Sequence, residues 1–146
     1  MNIASIIGDK GGRVVKVSVN ALLAECVQVL NDSRVGAVLV VDDSGNLKGI
    51  LSERDILWTL AKHPGGINQI SVSQVMTPAH KLVTAAPEDP IASVMQRMSD
   101  HHIRHLPVID GGRIAGIISI GDVVKALLDL TKTENEHLKS YVAGNY

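Results

Sequence analysis

Residues 49–55 read GILSERD and residues 116–122 read GIISIGD. Each is a glycine, two aliphatics, a serine, two variable residues and an aspartate. Ser52 to Ser119 and Asp55 to Asp122 are both 67 positions apart. Upstream the best register is 68: Leu23 falls on Ile91, Leu30 on Met98, Asp32 on Asp100 and Val41 on Ile109. The one-residue difference sits in a turn, DDSGN in the first copy and DGG in the second. An internal repeat of this kind decides the architecture before any single motif does. The chain divides into halves at residues 1–75 and 76–146.

Outward from the heptads, both halves carry the same order of elements. Residues 14–17 (VVKV) and 82–84 (LVT) are short β-prone pieces. Each precedes an apolar stripe at helical spacing, Leu22, Leu23, Cys26, Val27 and Leu30 in one half and Ile91, Val94, Met95 and Met98 in the other. Two apolar runs follow, AVLVV and LKGIL, then LPVI and RIAGII, separated by Asp/Gly turns that favour hairpins. The heptad closes the second strand and opens a further helix, around 55–62 and 122–130. The expected fold class is α+β, a β-α-β-β-α unit made twice. One copy alone leaves a face of a three-stranded sheet in water, so the two are expected to pack together.

Composition narrows the function. The chain has 146 residues, 45% hydrophobic, with 14 Lys plus Arg against 15 Asp plus Glu and a net charge of −1. That is enough apolar material for a real core. It supplies no basic field for nucleic acid, and 2% aromatics with no Phe leaves few platforms for stacking bases. No apolar run approaches the roughly 20 residues of a membrane span, and MNIASIIGDKGGR lacks the apolar stretch of a signal peptide. One cysteine forms no internal disulfide, which fits the reducing cytoplasm.

The runs GAVLVVDDSGNLKGILSERDIL and HIRHLPVIDGGRIAGIISIGDVVKALL, the VMTP heading the second half and the terminal LKSYVAGNY resemble a cystathionine-β-synthase (CBS) domain pair, or Bateman module, of the stand-alone bacterial type. The resemblance implies two repeats packed pseudo-two-fold with ligand clefts between them, and a disc-shaped homodimer. It also implies sensing of adenosine-containing ligands such as AMP, ADP, ATP, NAD or S-adenosylmethionine, with no cofactor required and no catalysis by the module.

The heptad has its own chemistry. Asp55 and Asp122 can each accept from two vicinal hydroxyls, as in ribose binding, with Ser52 and Ser119 reaching the same sugar. The strand-to-helix corner also aims helix N-terminal amides at anions. Ser-x-x-Asp is equally a capping box, satisfying the helix's own amides, and the two roles are compatible because one carboxylate oxygen remains available. Phosphate needs cations, and the candidates are Arg54 and Arg104 with His102 and His105 beside the latter. Against this, isolated arginines are mostly plain surface. The copies differ here: Gly121 stands opposite Arg54 and Gly36 opposite Arg104, so one strong and one weak or empty site is expected.

Adenine needs an apolar slot. The resemblance places it against Val17, Ser18 and Ala37, Val38 and Leu39 in one copy, and against Thr84, Ala85, Ala86, Ile103, Leu106 and Pro107 in the other. The same apolar residues read equally well as core. His101, His102 and His105 form an HHxxH stretch, but Cys26 lies on a core helix face and no paired zinc spacing exists, so no metal is expected. No GxSxG, Walker, GxGxxG or HExxH motif is present, which argues against an enzyme. The KGGR stretch at 10–13 reads as a turn or as a place where Lys10 or Arg13 folds over a ligand's phosphates. The last helix, from Asp122 to about Tyr141, carries Val123, Val124, Leu127, Leu128, Leu138 and Val142, a face for packing within the module or against a second subunit. Two readings remain in play: a regulatory nucleotide sensor, and a constitutive homodimeric scaffold with idle clefts.

Overall fold

A computed structural model describes residues 1–11 and 13–144. In chain order the elements are α1 (Ile3–Asp9), β1 (Lys16–Ser18), α2 (Leu23–Ser33), β2 (Ala37–Val41), β3 (Leu47–Ser52), α3 (Glu53–Lys62), β4 (Thr77–Pro78), α4 (Ile91–His101), β5 (His105–Asp110), β6 (Arg113–Ser119) and α5 (Ile120–Val142). The first sheet has the order β1-β2-β3-β4, with β1 parallel to β2 and the other pairs antiparallel; β5 and β6 form an antiparallel second sheet. The α+β class and the doubled unit expected from the sequence are present.

Helices α2 and α4 bury the expected stripe, through Leu23, Cys26 and Leu30 in one and Ile91, Val94 and Met98 in the other. Val27 and Leu22 remain largely exposed. Both helices end on a left-handed residue other than glycine, Arg34 (φ 54°) and His102 (φ 53°). The amides of the following Val35 and Ile103 donate back to Leu30 O (3.2 Å) and Met98 O (3.0 Å), which seals the last turn and throws the chain into a strand. The hairpins then differ as their turns require. The first wraps around Asp42, whose carboxylate accepts from the Ser44 and Asn46 amides at 3.0 and 2.9 Å. The second uses Gly111 and Gly112, both at positive φ, in a two-residue turn.

One expected strand shrinks. Opposite VVKV the first sheet has β1, but residues 82–84 make no strand, and only Ala85 bridges to Val108. The cause is a single residue. Leu39 N–H donates to Val15 O at 3.1 Å in the first copy, and the matching residue in the second is Pro107, which has no N–H to give.

β2 is buried on both faces, which is why AVLVV does not alternate with polar residues. Val38 and Val40 face the core formed with α2 and α3, together with Leu51 and Ile56. Ala37, Leu39 and Ile50 point the other way and meet Ile114 and Ile117 of β6, joining the two repeats. The remaining core lies in the second repeat around Val94, Met98, Leu106, Val108, Ile118 and Val123, and it includes Ile3 and Ile6 of α1.

Chain order and core membership therefore part company at the N-terminus. Helix α1 precedes the first repeat but packs on the second, its Ile3 and Ala4 amides donating to Asp89 O and Pro87 O at 3.0 and 2.8 Å. Residues 70–78 do the same for the first repeat: Val72 is fully buried there and β4 pairs with β3. The heptad glycines make room for these segments. A Cβ on Gly49 would run into the Thr77 carbonyl oxygen and lie 2.8 Å from Met76 Sδ, and one on Gly116 would lie 2.6 Å from Ile7 Cδ1. Gly49→Ala should lower stability by about 1–3 kcal/mol, because a backbone atom blocks it, and Gly116→Ala by less, because an isoleucine tip can turn away. Urea unfolding midpoints of the two variants test that order.

Candidate functional site

The two heptads end in equivalent corners. Ser52 N–H donates to Asp55 Oδ2 at 2.9 Å, and Asp55 N–H to Ser52 Oγ at 3.4 Å. Ser119 N–H donates to Asp122 Oδ2 at 2.9 Å, and Asp122 N–H to Ser119 Oγ at 3.0 Å. Both are reciprocal capping boxes on α3 and α5. Just beyond each serine, Glu53 N–H donates to Gly36 O at 2.9 Å and Ile120 N–H to Arg104 O at 2.8 Å. The helix start is thereby tied to the residue that precedes the neighbouring strand, and Gly36 and Arg104 are brought to the corners.

The polar surroundings then diverge. In the second repeat Lys10, just past α1, places its ammonium 2.8 Å from Asp122 Oδ2 and 2.8 Å from Ile117 O. The pair is only partly accessible, at 31% and 23% of the two side chains. Burial opposes the charge on Asp122, but hydrogen bonds from Lys10 and Ser119 outweigh it and hold the carboxyl below the usual carboxylate range. Asp55 makes no ion pair among the described residues. It lines instead a hollow of about 310 Å³ with Trp58, Thr59, Lys62, His63 and Gln74, at the lower end of small-molecule sites. A second hollow, about 560 Å³, runs between α2 and α3 past Arg34, Gly36, Glu53 and Leu57.

The phosphate candidates are spread apart. Arg54 is exposed and stacks over the Trp58 ring at 5.9 Å. His102 is the exposed left-handed cap of α4. Arg104 is exposed, while its neighbour His105 turns inward between the repeats. A Cβ on Gly36 would sit 3.2 Å from the His105 ring and 2.7 Å from Glu53 Oε1, so the missing side chain at Gly36 admits both. Burial lowers the His105 pKa more than the nearby Glu53 and Asp122 carboxylates raise it, leaving the ring neutral at pH 7. Arg13, the other cation of the KGGR stretch, is exposed.

The adenine candidates divide between core and rim. Val17, Ala37, Val38, Leu39, Ala85, Leu106 and Pro107 are buried, Ala37 and Leu39 in the contact between repeats. These side chains are structural packing. Ser18 and Thr84 are exposed, and Ala86 and Ile103 are partly so, which leaves these four on the accessible margin. Two residues at the site carry no signal in the spacing of the heptads: Glu53, which faces the other repeat, and Trp58, one turn into α3. Among the described residues no three His, Cys, Asp or Glu side chains converge as metal ligands. Cys26 is buried, which pushes its thiol up to about 11 and removes it from thiolate chemistry at neutral pH.

Two small sheets, each running into a strand-to-helix corner and meeting through apolar residues of β2, β3 and β6, define a tandem-repeat module. The family model for the CBS domain matches residues 11–62 and again 72–129, and the chain belongs to that family. The mitochondrial CBS domain-containing protein CBSX3 of Arabidopsis thaliana is 36% identical over 124 residues, which is 84% of this chain and 60% of that one. This chain thus spans somewhat under two thirds of that relative. The crystal structure of a CBS-domain protein from Agrobacterium tumefaciens, 36% identical, superposes with a TM-score of 0.82 over 86% of this chain and 98% of that one. A CBS domain pair solved with 5′-methylthioadenosine and S-adenosylmethionine shares the fold at a TM-score of 0.76 and 24% identity, over 87% of this chain and 95% of that one. No described helix is long and apolar enough to cross a membrane.

The His105 shift gives a pH test. A native pKa below the unfolded value means that the unfolded chain takes up the proton first, so the contribution is complete above about pH 6.5 and is lost as pH falls through the depressed native value. His105→Gln should flatten the fall in urea midpoint from pH 7.5 to pH 5 relative to the parent. An unchanged slope removes the assignment.

Proposed function

We propose that the protein is a regulatory module that binds adenosine-containing nucleotides, AMP, ADP, ATP or NAD, at its strand-to-helix corners and reports occupancy to a partner protein in the cytoplasm. The observation that carries this reading is the doubled corner, in which each repeat holds an aspartate already oriented by its own helix cap. Asp55 and Asp122 take the ribose hydroxyls with Ser52 and Ser119 assisting. Arg54, Arg104, His102 and His105 serve the phosphate end, His105 as a neutral hydrogen-bonding group. Ser18, Thr84, Ala86 and Ile103 border the base. The complex of a related CBS pair with two adenosine compounds supports this ligand class and keeps an S-adenosylmethionine sensor as the alternative within it.

Binding acts by population shift: the ligand favours one arrangement of the repeats by its difference in affinity for the two. The action proposed for the corners is binding, with no catalytic step. Isothermal titration with AMP, ATP, NAD and S-adenosylmethionine tests the reading. Binding in the micromolar range, about −8 kcal/mol, lost in Asp55→Ala or Asp122→Ala, is expected and identifies the occupied copy. Folded protein that binds none of the four leaves the constitutive scaffold as the better description.

The module works as a homodimer in this reading. Leu57 and Val124 occupy matched positions on α3 and α5 and are 65% and 46% exposed, with Trp58 and Leu128 beside them at 60% and 65%. Apolar faces repeated on two helices suit a symmetric, self-complementary interface. Light scattering at micromolar concentration should give twice the 15.5 kDa chain mass, and Leu57→Asp combined with Val124→Asp should return it to one.

A further inference from the structure

The Lys10 side chain makes polar contacts that are long-range in sequence. It joins the end of α1 to β6 and α5 across 107 and 112 positions of sequence. It lands on the carboxylate assigned above to the ribose, so this inference rests on the nucleotide reading. We propose that Lys10 is the charge selector of the second-repeat site: ribose hydroxyls displace its ammonium from Asp122, and the phosphate of the same ligand takes it up.

Three observations support the exchange. First, the ammonium is bound by one carboxylate oxygen and one backbone carbonyl, both acceptors, so leaving them without a replacement anion forfeits a charge-assisted pair in a partly buried place. A neutral nucleoside meets that cost in full, and a cationic adenosine compound adds repulsion to it. A nucleotide returns a stronger anion. Second, Lys10 lies just past the last residue of α1 and is followed by Gly11 at φ +72°, a backbone conformation that glycine adopts without strain. The helix behind it is held independently by buried Ile3 and Ile6. Third, the alternatives nearby are poor. His105 is uncharged at neutral pH, and Arg104 lies exposed in water, where its attraction for an anion is screened. The first repeat has no counterpart, because no cation pairs with Asp55 among the described residues. The two copies should therefore differ in their response to ligand charge, although their heptads match.

Titration of AMP and adenosine into Asp55→Ala protein reads the second site alone. AMP is expected to bind about tenfold tighter than adenosine there, as suits one charge-assisted contact. Adding Lys10→Met should cut that preference to about threefold or less, with adenosine itself binding tighter because its competitor is gone. Lys10→Arg should retain the preference. A preference that survives Lys10→Met, or adenosine affinity that falls in step with AMP, overturns the selector role while leaving nucleotide binding intact. A parent protein that binds neither compound overturns the selector, and the nucleotide reading falls with it only if ATP and NAD also fail to bind.

Discussion

The structure depends on two segments that cross a strand where it has no side chain. Gly49 of β3 lies under Met76 and Thr77, and Gly116 of β6 lies under Ile7. Neither contact tolerates a Cβ without movement. Through them β4 adds to the open edge of the first sheet and α1 packs on β6 of the second, each from a segment the chain supplies just before the other repeat. An uncovered edge is a liability in any small sheet, so the halves are interlocked rather than merely adjacent. The crossing at the N-terminus has a second effect. It carries Lys10 to Asp122 and thereby makes the two corners unequal.

Duplication shows most clearly in the backbone. The left-handed caps at Arg34 and His102, the returns from Glu53 to Gly36 and from Ile120 to Arg104, and the paired capping boxes agree to within a few tenths of an ångström. Differences arise where one side chain changed. Pro107 removes an amide and reduces a parallel strand to a single bridge. Gly36 admits Glu53 and the His105 ring into the contact between repeats, a place where its counterpart Arg104 would not fit. A conserved backbone corner with diverging contents lets one fold hold two sites of different character.

Much of the architecture was legible because it rests on local rules. The 67- to 68-residue repeat, the helical stripes, the turns and the Ser-x-x-Asp caps follow from periodicity and from the needs of unpaired helix amides. The site was legible only in outline. Asp55, Asp122 and their serines could be located, since the cap that orients them is contained in four consecutive residues. Of the residues named for adenine, Ala37, Leu39 and Leu106 have buried side chains, and a sequence does not say which apolar residue faces a cleft and which faces a core.

The sequence by itself determined that one unit is made twice, with α-β-β-α present in both copies, which serines cap their last helices, and which carboxylates stand at the corners, because these depend on spacings of a few residues. Tertiary structure decided which segment covers which repeat, that Lys10 pairs with Asp122 while Asp55 makes no ion pair among the described residues, and that His105 is half-buried with its pKa lowered. Those outcomes depend on contacts between residues far apart in sequence, from 28 positions for Gly49 and Thr77 to 112 for Lys10 and Asp122. There the competing arrangements are separated by packing and desolvation, which no local pattern encodes.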